Sequence, residues 1–108
     1  MQDLSLEVKN SFDEYIKKVP EGCLEIAKLL RLGEIRSSMQ IIQQFSEGMS
    51  WLLQASNLLS VNGIDTKFNI EQIENFLKEI NDGLIVEDYM LVADLFEYEI
   101  ASYFNKTD

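Results

Sequence analysis

At 108 residues, 46% of them hydrophobic, the chain is long enough for one domain with a packed core and too short for two. Its formal charge of −10 sets it against nucleic acid and anionic lipid, and no apolar stretch approaches the roughly 20 residues of a membrane span. With no histidine, Ser-His-Asp and Cys-His catalysis, imidazole acid–base chemistry and ordinary zinc sites are excluded.

Five glycines and one proline leave few chain breakers, which favours long helices over hairpins. A lone cysteine, Cys23, can form no intramolecular disulfide and fits a reducing cytoplasm. The first twenty residues carry Asp3, Glu7, Asp13 and Glu14 and lack the apolar run of a signal peptide.

In the first segment Val8, Phe12, Ile16, Val19, Cys23, Ile26 and Leu30 step by three and four along one helical face. Pro20 falls inside this pattern. The segment is therefore either one helix kinked at Pro20 or two helices in line, the second beginning at Pro20. Gly33 ends it. From about 34 to 61, Ile35, Ser38, Ile42, Phe45, Met49, Leu52, Ser56 and Leu59 form an unbroken stripe. A second row, Ile41, Gly48, Trp51, Ala55 and Leu58, is expected to widen the buried face, with Gly48 and Ala55 allowing close approach of a neighbour. Asn62-Gly63 is a stop signal.

After a connector at 64–68, Asn69-x-x-Gln72 reads as a capping box opening a third helix with Ile73, Phe76, Leu77 and Ile80 inward. Its end falls at 82 or near 86. Asp88 is the expected N-cap of a last helix over about 89–105. That helix has Tyr89, Val92, Phe96, Ile100 and Tyr103 on its core face, and Leu91, Leu95 and Tyr98 off it. The pattern predicts an all-α fold, an antiparallel four-helix bundle forming a single domain over residues 1–108.

Charge divides unevenly: residues 1–62 carry a net −2 and residues 63–108 a net −8. Glu71-x-x-Glu74 and Asp94-x-x-Glu97 place two carboxylates on one side of each of two consecutive helices. Such a set resembles the Mg²⁺-dependent nucleotide pyrophosphatases of the MazG type, in which Glu-x-x-Glu is followed by Glu-x-x-Asp. Here the second pair is reversed, no Lys or Arg stands near it in sequence, and Glu71 and Glu74 point opposite Ile73 and Ile80. The expectation is a protein without enzymatic activity and without a cofactor. Cys23, on an apolar stripe with no acid–base partner, is expected to be a core residue.

The stretch Asp88–Ile100 is the most distinctive. Leu91, Asp94, Glu97 and Tyr98 mix acid with apolar area, which suits a basic or amphipathic partner helix; the alternative is that Leu91 and Tyr98 cover a neighbouring helix or a dimer mate. Glu99, at the edge of the core face, needs a hydrogen-bond or charge partner. Residues Glu47 to Leu52 and Asp88 to Ile100 resemble small helical proteins of Gram-positive bacteria, a resemblance that implies no activity. Size and acidity are also similar to flagellar and type III export chaperones.

The leading expectation is a cytoplasmic protein-interaction module, monomer or homodimer, that binds a protein partner through Leu91, Asp94, Glu97 and Tyr98 and binds neither nucleic acid nor membrane. The alternatives are an export chaperone whose groove is lined by the second helix, an acidic DNA mimic, and the pyrophosphatase.

Overall fold

The computed structural model describes residues 4–106, and among these the chain is helical with no strand. The first stripe forms one continuous helix, α1 (Leu4–Arg31), with Pro20 inside it and Phe12, Ile16, Val19, Cys23, Ile26 and Leu30 buried. Of the two arrangements open at Pro20, the undivided helix is the one adopted. Proline removes one backbone donor there, while the apolar face continues in phase on both sides and holds the two halves in line. Lys28 and Arg31 stand in the last turn, where cations complement the helix dipole.

Gly33, at φ +78°, closes α1. Its N–H donates to Leu30 O and the Glu34 N–H to Leu29 O, the paired bonds of a Schellman turn. The chain reverses into α2 (Ile35–Val61). The main stripe of α2 is buried from Ser38 to Leu59, and the buried Ser38 hydroxyl donates to Glu34 O. The second row is not wholly inward, contrary to expectation: Ala55 is buried, but Trp51 is 38% exposed and Leu58 is exposed. The reason is geometric. Helix α2 is covered by α1 on one side and touches the third helix only lightly on the other. Gly48 does serve close approach: a side chain there would collide with the Tyr15 ring of α1.

A second Schellman turn, with Ile64 N–H donating to Leu59 O, ends α2 at Asn62-Gly63. In the connector the Ser56 and Thr66 hydroxyls are hydrogen-bonded at 2.9 Å. Asn69 caps α3 (Ile70–Ile85), its Oδ1 accepting from the Gln72 N–H at 3.0 Å. The helix runs to the later of its two expected ends. It closes on a third turn of the same kind, in which Asp88 N–H donates to Gly83 O and Glu87 takes φ +57° where the earlier turns have glycine.

Asp88 caps α4 (Tyr89–Asp94) through an Oδ1 bond from the Leu91 N–H. The helix then widens into a π segment (Leu95–Ile100) and continues as α5 (Ala101–Lys106). Within the π turn the Ala101 N–H donates to Phe96 O, five residues back. This i→i+5 bonding inserts one extra residue. Leu95, expected off the core face, is buried. Beyond the insertion the core position moves from Tyr103 to Phe104, which is fully buried while Tyr103 is half-buried. The Tyr103 hydroxyl accepts the Asn69 N–H at 3.1 Å and so ties the start of α3 to α5.

The helices run alternately up and down, with α1 packed along both α2 and the last helix, and α3 seated mainly on α4. The bundle measures 51 × 22 × 21 Å. Edge-to-face aromatic pairs join its layers, among them Phe45–Phe96 at 5.1 Å and Phe12–Phe68 at 5.2 Å. No buried side-chain polar atom among the described residues lacks a partner. No helix among them is long and apolar enough to cross a membrane.

Candidate functional site

The four residues singled out on the last helix divide between its two flanks. On the flank facing α1, Arg31 reaches Asp94 and Glu97: Nη2 lies 2.8 Å from Asp94 Oδ1 and 3.0 Å from Glu97 Oε1, and Nε lies 3.2 Å from Glu97 Oε1. Hydrogen bonds that the guanidinium donates to Asp94 first, then to Glu97, hold its pKa above the ordinary value. The next residue, Tyr98, is 63% exposed. A hydrogen bond to Glu97, reinforced by that carboxylate's charge, raises the Tyr98 hydroxyl pKa. These acids are therefore satisfied within the fold by a cation that lies 63 and 66 residues away in sequence. Nothing local in the sequence announces that pairing.

On the opposite flank, Leu91 lines a groove of about 460 Å³ between α3 and the last helix. Buried Leu95 and Gly83 form its floor. Val86, 70% exposed, and Leu91, 54% exposed, form apolar lips. Glu79, Asp82 and Glu99, all exposed, supply acidic lips. Leu91, Leu95 and Glu99 share a row because successive steps of four keep one side of a helix. Glu99, expected to need a partner at the core edge, instead stands in solvent at the lip. Asp82 is 3.5 Å from Lys78 in an exposed pair one turn apart. Sequence reasoning missed the contribution of α3, because Glu79, Asp82, Gly83 and Val86 show no pattern apart from the helix that faces them.

Gly83 sets the width of this groove. A Cβ there would stand 2.7 Å from Val92 Cγ2, so only glycine lets α3 lie this close to α4.

Elsewhere the chemistry is spare. Cys23 is fully buried, and burial pushes its thiol pKa up to about 12. Tyr15 is also raised, by burial first and the Cys23 charge second. Glu71 and Glu74 are exposed on α3, and no group of three or more acid or cysteine side chains among the described residues is placed to hold a metal ion. A cavity between α1 and the connector is lined by Lys9, Lys17 and Lys67 with Asp13 and Asp65, so its charges largely cancel.

No curated protein and no solved structure matches the chain. A family model described as a domain of unknown function, DUF8042, matches residues 7–107, a range that reaches all four expected helices and both flanks of the candidate site. The chain belongs to the DUF8042 family.

Proposed function

We propose that this protein is a non-enzymatic, cytoplasmic interaction module that binds a protein partner through the acidic surface of its C-terminal half. One observation carries the proposal: exposed Val86 and Leu91 border an apolar groove whose remaining lips are Glu79, Asp82 and Glu99. Apolar area ringed by one sign of charge is suited to a protein surface of the opposite sign. The buried Cys23 and the solvent exposure of Glu71 and Glu74 support a binding role over a catalytic one. The lone thiol also supports a reducing compartment.

A photo-reactive amino acid placed at Leu91 in cells tests this, with one at exposed Gln43 of α2 as control. The expected result is a protein adduct from position 91 that is absent from position 43. It should be lost when Glu79→Gln, Asp82→Asn and Glu99→Gln are combined. Equal adducts at both positions, or none at 91, would refute the proposal.

The exposure of Trp51 and Leu58 along α2 favours a second reading, an export chaperone that holds an apolar client there. Trp51 packs at 6.0 Å from Tyr15 and 6.4 Å from Phe12, so a client would change its fluorescence. Unchanged Trp51 emission with an unfolded client in excess would dispose of that reading.

A further inference from the structure

We infer that the α3–α4 groove seats one short amphipathic helix, its apolar stripe lying over Leu95 and Gly83 and its Lys or Arg side chains meeting Glu79, Asp82 and Glu99. The inference rests on the protein-binding reading above and specifies the partner of that same site.

Three observations select this occupant. The groove is walled by two helices and floored by Leu95 and Gly83, so an inserted element must present apolar side chains along a single line. A helix does so with residues spaced three and four apart. An added strand would need a sheet edge, and no strand exists among the described residues. The second observation is charge. On the α1 flank of the last helix, Arg31 already neutralises Asp94 and Glu97. On the groove flank no cation among the described residues pairs Glu79 or Glu99, and Asp82 has only the exposed Lys78. Unmet negative charge is thus concentrated beside the apolar floor. The third is self-exclusion. A symmetric dimer through this groove would set the acidic lips of one copy against those of the other, in a half of the chain that carries −8. A second copy is the wrong occupant and a cationic helix the right one.

The residues that line the groove run from Glu79 to Val86 and from Leu91 to Glu99, each roughly 12 Å of helix, so about two turns of the occupant lie in it.

The test uses the full chain and a fluorescent Leu/Lys peptide of about 14 residues with leucines three and four apart. Its comparators are the same composition in shuffled order, a Leu/Glu peptide with the same leucine spacing, and spermine. Anisotropy gives affinity and amide NMR gives location. The amphipathic Leu/Lys peptide should bind, gain helicity, and shift the amides of Gly83, Val86, Leu91 and Leu95. Combining Glu79→Gln, Asp82→Asn and Glu99→Gln should weaken it about tenfold or more, and so should Leu91→Ser alone. Both sets of positions are exposed, so these variants keep the fold.

Equal binding of the shuffled peptide or spermine would reduce the effect to bulk charge and overturn the inference. Binding of the Leu/Glu peptide, or shifts spread over the whole acidic surface, would overturn it too. If the Leu/Lys peptide fails while the Leu91 adduct persists in cells, the helical occupant falls and the protein-binding reading stands. If both fail, both fall.

Discussion

Replacing Gly83 by alanine tests the seating of α3 on α4. In a helix interior, glycine to alanine gains about 1 kcal/mol from backbone entropy and propensity. Gly22 in α1 has nothing within 4 Å of an added Cβ, so Gly22→Ala should realise that gain. At Gly83 the same methyl group meets Val92 Cγ2 at 2.7 Å, against 3.4 Å or more in ordinary contact. Val92 is fully buried and stiff at χ1, so it cannot turn aside. Relief must come from separating α3 and α4, at an overpacking cost of about 1–3 kcal/mol. The net effect of Gly83→Ala is a loss of about 1 kcal/mol, placing the two variants roughly 2 kcal/mol apart. For a domain of this size that is a difference of roughly 8 °C in Tm. Urea and thermal unfolding followed by circular dichroism would measure it. If Gly83→Ala is as stabilising as Gly22→Ala, α3 does not rest on Val92 and the groove does not have the width described.

Glu87→Gly should stabilise by about 0.5–1 kcal/mol, because glycine occupies φ +57° without the penalty carried by glutamate; an unchanged or lowered urea midpoint would contradict this. Phe96→Ala empties a fully buried position beside Phe45 and should cost about 3–5 kcal/mol, seen as a large fall in the urea midpoint. Cys23 should resist a thiol reagent at pH 8 until the protein is unfolded, and rapid native reaction would show the thiol to be accessible. The folded thiol keeps its proton to about pH 12, against 9.0 for the unfolded group. Its contribution is thus intact below pH 9 and lost as pH rises from 9 towards 12, by up to about 1.4 kcal/mol per pH unit. Tyr15, also raised, adds to the decline above pH 10. Cys23→Ala should flatten the part of that decline that begins near pH 9.

Helix ends are the most legible part of this fold. Gly33 and Asn62-Gly63 announce left-handed caps, and Asn69 and Asp88 announce side-chain caps, because each stop or start needs a specific local chemistry. Periodicity likewise marks the buried stripe of α2, which one neighbour covers along its length. It fails at the margins, where Trp51 and Leu58 depend on how closely a third helix approaches. The π segment carries no residue signature, since its backbone bonding is open to most side chains. Its sole trace is the step of four that continues from Ile100 to Phe104. The candidate site was half legible. Leu91 and the acids of the last helix stand out in sequence, but Arg31 belongs to another helix and Gly83 acts through a contact only the folded chain possesses.

The extra residue in Leu95–Ile100 makes the last helix two rods with separate rotational settings. Upstream, Val92 and Phe96 face inward with Leu91 turned to the groove; downstream, Ala101 and Phe104 face inward and Tyr103 reaches Asn69. Straightening this stretch to a plain α-helix with every residue kept would turn everything after it by roughly 100°. Phe104 would then swing out of the aromatic layer, whereas removing one residue between 95 and 100 together with the straightening would keep it facing inward. The π turn thus reconciles the length of this stretch with the core, and a further inserted residue there would unseat the C-terminal turns even if every side chain kept its hydrophobicity.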